Sequence, residues 1–393
     1  MKKALIIGAS ILQLPAILKA KALGYYVGVI DYNPNAVGVP YADAFFEVST
    51  IDIQGVAETA KAFRPDGIMT LATDMPMRSI AEAARVCELP GITMDTAIKA
   101  TDKGEMIKAF AACGVAHPWF YIAQNEQAFA EAAEKATFPC IMKPTDNSGS
   151  RGVVLVHSKE ELLREYSYTK DSSRSGGVII EEYMTGSEVS VEVMVLDGVP
   201  HVLQVTDKLT TGAPHFVEMG HSQPSMLGEE NVRAIKDLAQ RAVLAVGIQN
   251  GPAHVEIMLT KDGPKMVELG ARMGGDCITT HLVPLSTGID MVRATLEIAC
   301  GETPDITQTL QKGSAIRYFD VPCGVIKDIR GTQEALAIPG VQELSFVKKV
   351  GDTAGEIGSS TDRVGFVIAQ ADTARQAIAI CEEVLKTVQI TVE

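Results

Sequence analysis

Over roughly the first 95 residues, short apolar runs alternate with stretches whose apolar positions recur at helical spacing. "ALIIGAS" is a strand-like run ending at Gly8, and "LPAILKAKALG" follows with a helical pattern and a stop at Gly24. "YYVGVID", a helix around "VAETAKAF", "GIMTLATD" and a helix around "MRSIAEAARVCEL" repeat the cycle. Such β–α repeats predict a small parallel sheet covered by helices. Ligands of these sheets sit at the carboxyl ends of the strands, here near Gly8, Asp31, Thr73 and Asp74.

Next, "ATDKGEMIKAFAACGVAHPWF" predicts a helix opened by Thr101 or Asp102 and closed by Gly114. From "FPCIMKPTDNSGSRGVVLVH" to about residue 300, short strands, glycine turns and single helices predict an α+β region with antiparallel sheet. The last stretch, from about residue 310 to 393, contains "AIRYFDV", "GVIKDIRG", "LSFVKKVGD", "RVGFVIAQA" and a closing helix "TARQAIAICEEVLKTV". It reads as a small α+β module.

Composition narrows the classes. A chain of 393 residues, 46% hydrophobic and 21% charged, is long enough for about two or three domains. A formal charge of −14 without a basic stretch argues against nucleic acid as a partner. The seven cysteines are scattered and include no C-x-x-C pair, a pattern of reduced thiols. "MKKALIIGAS" is too short an apolar run for a leader and reads as a first strand. No run approaches the roughly 18 apolar residues of a membrane helix, so a cytoplasmic protein without membrane contact is expected. Asp31 would suit a nucleotide ribose in a dinucleotide fold, but "GASILQLP" lacks the G-x-G-x-x-G fingerprint, which speaks against NAD.

Several polar residues interrupt apolar strands where their cost needs a reason. Lys143 ends the strand "CIMK", and a buried lysine calls for an anion or a path to water. Ser148-Gly149-Ser150-Arg151-Gly152 follows, with small residues whose N–H groups can approach phosphate; it is not a Walker A loop. "GVIIEEYMTGSEVSVEVMVLDG" reaches Glu181 and Glu182, turns at Gly186, and restarts as an alternating strand at Glu188, with Glu192 on the same face. In "HVEIMLTKDGPKMVELGARMGGD", Glu256 and Glu268 lie in two strands joined by a turn at Lys261 to Pro264. An even register puts both carboxylates on one face; an odd pairing or a bulge alters it. Two close carboxylates repel, and a divalent cation with oxygen ligands, Mg²⁺ above all, removes that penalty. Arg272 follows, able to offset negative charge on a metal-bound phosphate.

Taken in this order, the strand lysine, Ser/Gly loop, Glu-Glu before a glycine turn, and Glu…Glu-x-x-x-Arg resemble the ATP-grasp superfamily of carboxylate–amine ligases along essentially the whole chain. The resemblance implies an ATP-grasp fold: a parallel-sheet pre-ATP-grasp domain over 1–95, an ATP-grasp domain over 96–310 with a lid at about 120–185, and an α+β subdomain over 311–393. It implies ATP and Mg²⁺ (or Mn²⁺) as cofactors. Lys103, Lys143, Ser148, Gly149, Ser150 and Gly152 would meet the phosphates. Glu181 with the backbone of Glu182, Tyr183 and Met184 would hold adenine, and Glu188 the ribose. Glu256 and Glu268 would bind metal, with Arg272 and Lys143 as catalytic cations. The family usually has Asn two residues after the second metal glutamate, where this chain has Gly270.

Within the superfamily, "DKLTTGAPHFVEMGHSQPS" and "GARMGGDCITTHLVPLSTGID" most resemble ligases that join two amino acids. A loop carrying Phe216, Glu218, His221 and Pro224 would then border the substrate site. His215, Glu218 and His221 lack the H-E-x-x-H spacing and a clear third ligand, so zinc is not expected. His281 reads as a structural histidine. The partners implied are a small-molecule carboxylate and amine, with a homodimer as the assembly to look for. Alternatives within reach are a glycine–phosphoribosylamine ligase, a biotin-dependent carboxylase, and an ATP-binding regulator without chemistry.

Overall fold

A computed structural model describes residues 1–147, 151–212 and 216–393; Ser148, Gly149, Ser150 and His215 lie outside the described residues. Four parallel strands form the first sheet, in the order β3 (Ala44–Glu47), β2 (Tyr26–Asp31), β1 (Lys3–Ile7), β4 (Gly67–Met69). The helix Ile53–Phe63 packs on it through Val56, Ala57, Ala60 and Phe63, and Asp52 caps its start by accepting from Gly55 N–H at 3.0 Å. The run predicted to continue to Asp74 stops as a strand at Met69. Thr70 turns its hydroxyl to the carbonyl of Ile7, and Ala72 takes a left-handed backbone with φ 59°.

The second sheet has eight strands among the described residues. Their order is β13 (Gly263–Gly270), β12 (Gly251–Thr260), β9 (Ser187–Leu196), β10 (Val199–Thr210), β11 (Glu218–Gln223), β14 (Gly313–Tyr318), β18 (Gly365–Ala371), β16 (Val341–Phe346). Alternation sorts its central strands into two faces. Val189, Val191, Val193, Ala253, Val255 and Leu269 face a core shared with the helix Glu229–Val246 and with residues of the first sheet. Glu188, Ser190, Glu192, His254 and Glu256 take the opposite face. Burying each of those apolar side chains is worth about 1.5–3 kcal/mol, so the sheet is a rigid platform for its polar face. The strands of the last eighty or so residues extend this same sheet, covered by the helix Ala374–Thr387 with its Thr373–Gln376 capping box.

A separate four-stranded sheet stands over the platform, in the order β5 (Phe120–Ala123), β8 (Val178–Glu182), β6 (Cys140–Pro144), β7 (Val154–Val156), with its own small core around Phe129, Met142, Leu162 and Tyr166. It joins the platform through Gly186, where a Cβ would sit 1.9 Å from the carbonyl oxygen of Leu259. Only glycine lets the two backbones approach this closely. Three short strands, β17 (Thr353–Ala354), β15 (Gly324–Arg330) and β19 (Gln389–Val392), complete the chain end. Among the described residues no helix is long and apolar enough to cross a membrane.

One expectation needs correction here. The part of that stretch holding Glu218 and His221 is not a loop, because Glu218–Gln223 is β11, hydrogen-bonded between β10 and β14, with Phe216 and Pro224 flanking it. Its glycine and polar content concealed the strand.

Candidate active site

A cavity of about 920 Å³ lies between the small sheet and the polar face of the platform. Glu256 and Glu268 line it and are direct cross-strand partners. Counted from the turn, Thr260 pairs with Gly263 and Ile257 with Met266, so a regular register would set Glu256 against Val267. The ladder shifts by one residue between Glu256 and Ile257, making Val267 the extra residue of a bulge and bringing Glu268 opposite Glu256.

Each carboxylate has a cation. Lys208 Nζ lies 3.2 Å from Glu256, 2.5 Å from Glu188 and 3.5 Å from Glu218. Lys103 Nζ is 3.0 Å from Glu268 and donates to the Asn147 carbonyl at 2.9 Å. Lys103 is the first residue of a helix, Lys103–Ala112, whose start Asp102 caps from its side chain. Burial by itself would raise the carboxyls of both glutamates. Lys208 and His254 together outweigh it at Glu256, and Lys103 with Lys143 at Glu268, so both are held below the usual range and stay ionised. At Glu188 burial wins over Lys208, and its carboxyl is raised.

Behind Glu256, His254 bridges to the interior. Burial would lower its imidazole, but the fully buried Glu192 raises it to about 9. The ring is protonated at neutral pH and donates from Nδ1 to Glu192 at 2.6 Å and from Nε2 to Glu256 at 3.4 Å.

On the small sheet, Lys143 and Glu181 form a buried ion pair at 2.6 Å, so the phosphate and adenine candidates are each other's partner. Glu182 accepts from Lys265 through both oxygens, at 2.9 and 2.8 Å, tying that sheet to β13. Tyr183, Met184 and Glu188 line the same cavity. Gly152 lies behind its rim, with its carbonyl taken by Thr169.

Arg272 reaches across to the first sheet's loop, with Nε 3.0 Å and Nη2 2.7 Å from the two oxygens of Asp74. Of the strand-end positions expected to meet a ligand, Asp74 therefore reaches this region. Asp31 does not; it accepts from Ala9 and Asn33 N–H groups within its own sheet.

At the far end Asp276 accepts from Arg363 at 2.8 and 2.7 Å, and His221 Nε2 lies 3.4 Å from it. Arg363 stacks 3.7 Å above the Tyr318 ring. Phe216, Glu218 and His221 border the cavity, whereas Pro224 does not. His281 stands 3.2 Å from Glu343 and outside the cavity lining.

Sequence reasoning missed Lys208, Lys265, His254 as a bridge, and the Asp276–Arg363 pair. Lys208 could have been found by the criterion that singled out Lys143, a lysine inside a strand. Lys265 and Asp276 have partners too far along the chain for any local signal, as does His254 in its contact with Glu192.

The residues fit a divalent cation: two facing, ionised carboxylates offer hard oxygens. Among the described residues no group of three or more His, Cys, Asp or Glu could hold a metal. Two protein ligands, with the rest left to phosphates and water, is the usual manner of Mg²⁺ in phosphoryl-transfer sites.

Residues 136–280 match the ATP-grasp domain and residues 317–393 match the L-amino acid ligase C-terminal domain 2. The alanine–anticapsin ligase of Bacillus subtilis (strain 168) is 26% identical over 327 residues, covering 77% of this chain and 68% of that protein. An L-amino acid ligase structure from Bacillus licheniformis superposes with a TM-score of 0.85 at 24% identity, over 100% of this chain and 99% of that one. A phosphoribosylglycinamide synthetase from Anaerococcus prevotii superposes with a TM-score of 0.82 at 23% identity, over 100% of both chains. The matched domains and the fold are those of ATP-grasp ligases, enzymes of the class that forms C–N bonds. Within that superfamily the chain carries the C-terminal domain of the L-amino acid ligases.

Proposed function

We propose that the chain activates a carboxylate, that of an amino acid, as an acyl phosphate and joins it to an amine, releasing ADP and phosphate. The observation that carries this reading is the facing Glu256–Glu268 pair, with Lys103, Lys143 and Arg272 around one cavity. The C-terminal match and the alanine–anticapsin ligase relative support amino acids as substrates.

A free carboxylate resists amines because it is a poor electrophile with oxide as leaving group. One of its oxygens attacks the γ-phosphorus of ATP, the bond to the β–γ bridging oxygen breaks, and ADP takes the electron pair. The amine nitrogen then attacks the acyl carbon, the bond to the phosphate oxygen breaks, and orthophosphate leaves while the amine loses a proton. Glu256 and Glu268 would hold Mg²⁺, which would supply charge neutralisation and alignment of the phosphates. Lys103 and Lys143 would contact phosphates, and residues 148–152 would cover them against water. Adenine would sit at Glu181 and the backbone of Glu182, Tyr183 and Met184, and the ribose at Glu188. Arg272 would offset charge as it develops on the transferred group.

In this reading 1–95, 96–310 and 311–393 are the three domains, with the lid at about 120–185, and the enzyme works in the cytoplasm. The likeness to a phosphoribosylglycinamide synthetase is one of fold, and the C-terminal match favours the amino-acid reading over it. The test is ATP-dependent hydroxamate formation with Mg²⁺, hydroxylamine standing in for the amine. Amino acids should give hydroxamate and ADP in step. Hydroxamate from no amino acid other than glycine, together with amide formation from glycine and phosphoribosylamine, would overturn the reading in favour of a purine-type ligase.

A further inference from the structure

Arg272 is held before any substrate arrives. Its guanidinium is a rigid fork of five N–H donors. Two of them go to Asp74, and Nη1 donates to the carbonyl of Met273 at 3.2 Å. Two donors remain, at the edge of a cavity that Arg272 itself lines. Asp74 lies 198 residues away in the chain, beyond the end of β4. Its loop bends through Ala72 at φ 59°, a left-handed conformation that an alanine rarely adopts. Both partners are largely buried, with 14% and 21% of their side-chain surface exposed.

Gly270 completes the arrangement. A Cβ there would sit 2.8 Å from Asp74 Oδ1 and 3.1 Å from both Cζ and Nε of Arg272. A methyl group would meet no backbone among these atoms. It would push the carboxylate oxygen off Nε and turn the fork, leaving the strand in place. The absence of a side chain at position 270 and the presence of a carboxylate at position 74 are thus two halves of one feature.

We propose that Asp74 is the positioning residue of Arg272, acting through the space that Gly270 leaves, so that the remaining edge of the guanidinium is aimed at the transferred phosphoryl group in advance. The role rests on the ligase reading given above. A preoriented donor needs no reorganisation when charge develops, whereas a displacement of about 1 Å can cost on the order of 100-fold in rate.

The experiment is a double-mutant cycle of Asp74→Ala, Gly270→Ala and the pair, read in two ways. One readout is kcat and the KM for ATP in amino-acid-dependent ADP formation. The other is binding of orthophosphate to the protein loaded with Mg²⁺ and ADP, with Arg272→Ala as reference. Each single variant should lower kcat on the order of 100-fold and weaken phosphate binding about tenfold or more, with the KM for ATP nearly unchanged. Gly270→Ala should add no further loss once Asp74 is Ala, because the methyl group no longer has a carboxylate to displace. Multiplying losses, or an Asp74→Ala enzyme with wild-type kcat and phosphate affinity, would overturn the proposal. If wild type binds phosphate through Arg272 but turns over no substrate, the ligase reading fails, and the binding cycle still decides the role of Asp74. Phosphate binding indifferent to Arg272→Ala overturns the proposal outright.

Discussion

Glu268 stands directly opposite Glu256 because Val267 is one residue too many for a regular hairpin. Without that shift a valine would face the Glu256 carboxylate and Glu268 would turn to the core face. The bulge spends a local irregularity to put two charges side by side. Lys208 and Lys103 on either flank hold both ionised.

The pair should therefore be indispensable to turnover. Glu256→Gln and Glu268→Gln are each expected to cut kcat on the order of 100-fold or more, since a neutral amide is a weak ligand for Mg²⁺. Glu188→Gln should act mainly on nucleotide affinity, raising the KM for ATP about tenfold, the value of one hydrogen bond to a charged group. Steady-state ADP release measures both. Full activity in Glu268→Gln together with Glu188→Gln would remove the assignment.

Lys208 is the cation of a cluster holding Glu188, Glu218 and Glu256. Lys208→Met leaves three carboxylates without it, a loss of about 3 kcal/mol by the usual cost of breaking a buried pair. Urea unfolding should show that loss in the absence of divalent ions. Added Mg²⁺ or Mn²⁺ should return more stability to the variant than to wild type, because the ion replaces the missing charge.

At the far end, burial would raise the Asp276 carboxyl, but Arg363 and then His221 hold it well below the usual range. A depressed carboxyl stabilises the folded state above its unfolded pKa of about 3.9, and that contribution is lost as the pH falls below it. Asp276→Asn should cost about 3 kcal/mol at neutral pH, leaving Arg363 buried without its partner. The gap between variant and wild type should narrow below about pH 4, as read by denaturant unfolding at several pH values.

Thiol chemistry offers an independent check of the packing. Burial pushes Cys140 up to about 11 and both Cys277 and Cys381 up to about 12, while Cys113 and Cys323 are exposed. The thiolate is the reacting form. Iodoacetamide at pH 8 should label Cys113 and Cys323 in the native protein and spare the three raised thiols, as peptide mass spectrometry will report.

Much of this was legible in the chain because it is local. The hairpin turn, tightened to Lys261 and Asp262, the alternation of Glu188, Ser190 and Glu192, and Asp102 before Lys103 each follow from neighbours within a few residues. The register of Glu256 and Glu268 was not, since a bulge depends on how the whole strand packs. Nor were the partners of the charged residues: Asp74 finds Arg272 across 198 residues, and Lys208 finds Glu256 across 48. Only the folded sheets bring them together. The strand Glu218–Gln223 was hidden because Glu218 and His221 face the cavity while Ser222 and Gln223 are buried.

Acyl-phosphate chemistry leaves an isotopic trace. An amino acid carrying ¹⁸O in its carboxylate, incubated with ATP, Mg²⁺ and an amine acceptor, should transfer one ¹⁸O to orthophosphate for each amide formed. The label follows from the carboxylate oxygen that attacks the γ-phosphorus and later leaves with it. Amide formation with orthophosphate free of ¹⁸O would contradict activation at the γ-phosphate, and with it the roles given to Glu256, Glu268 and Arg272.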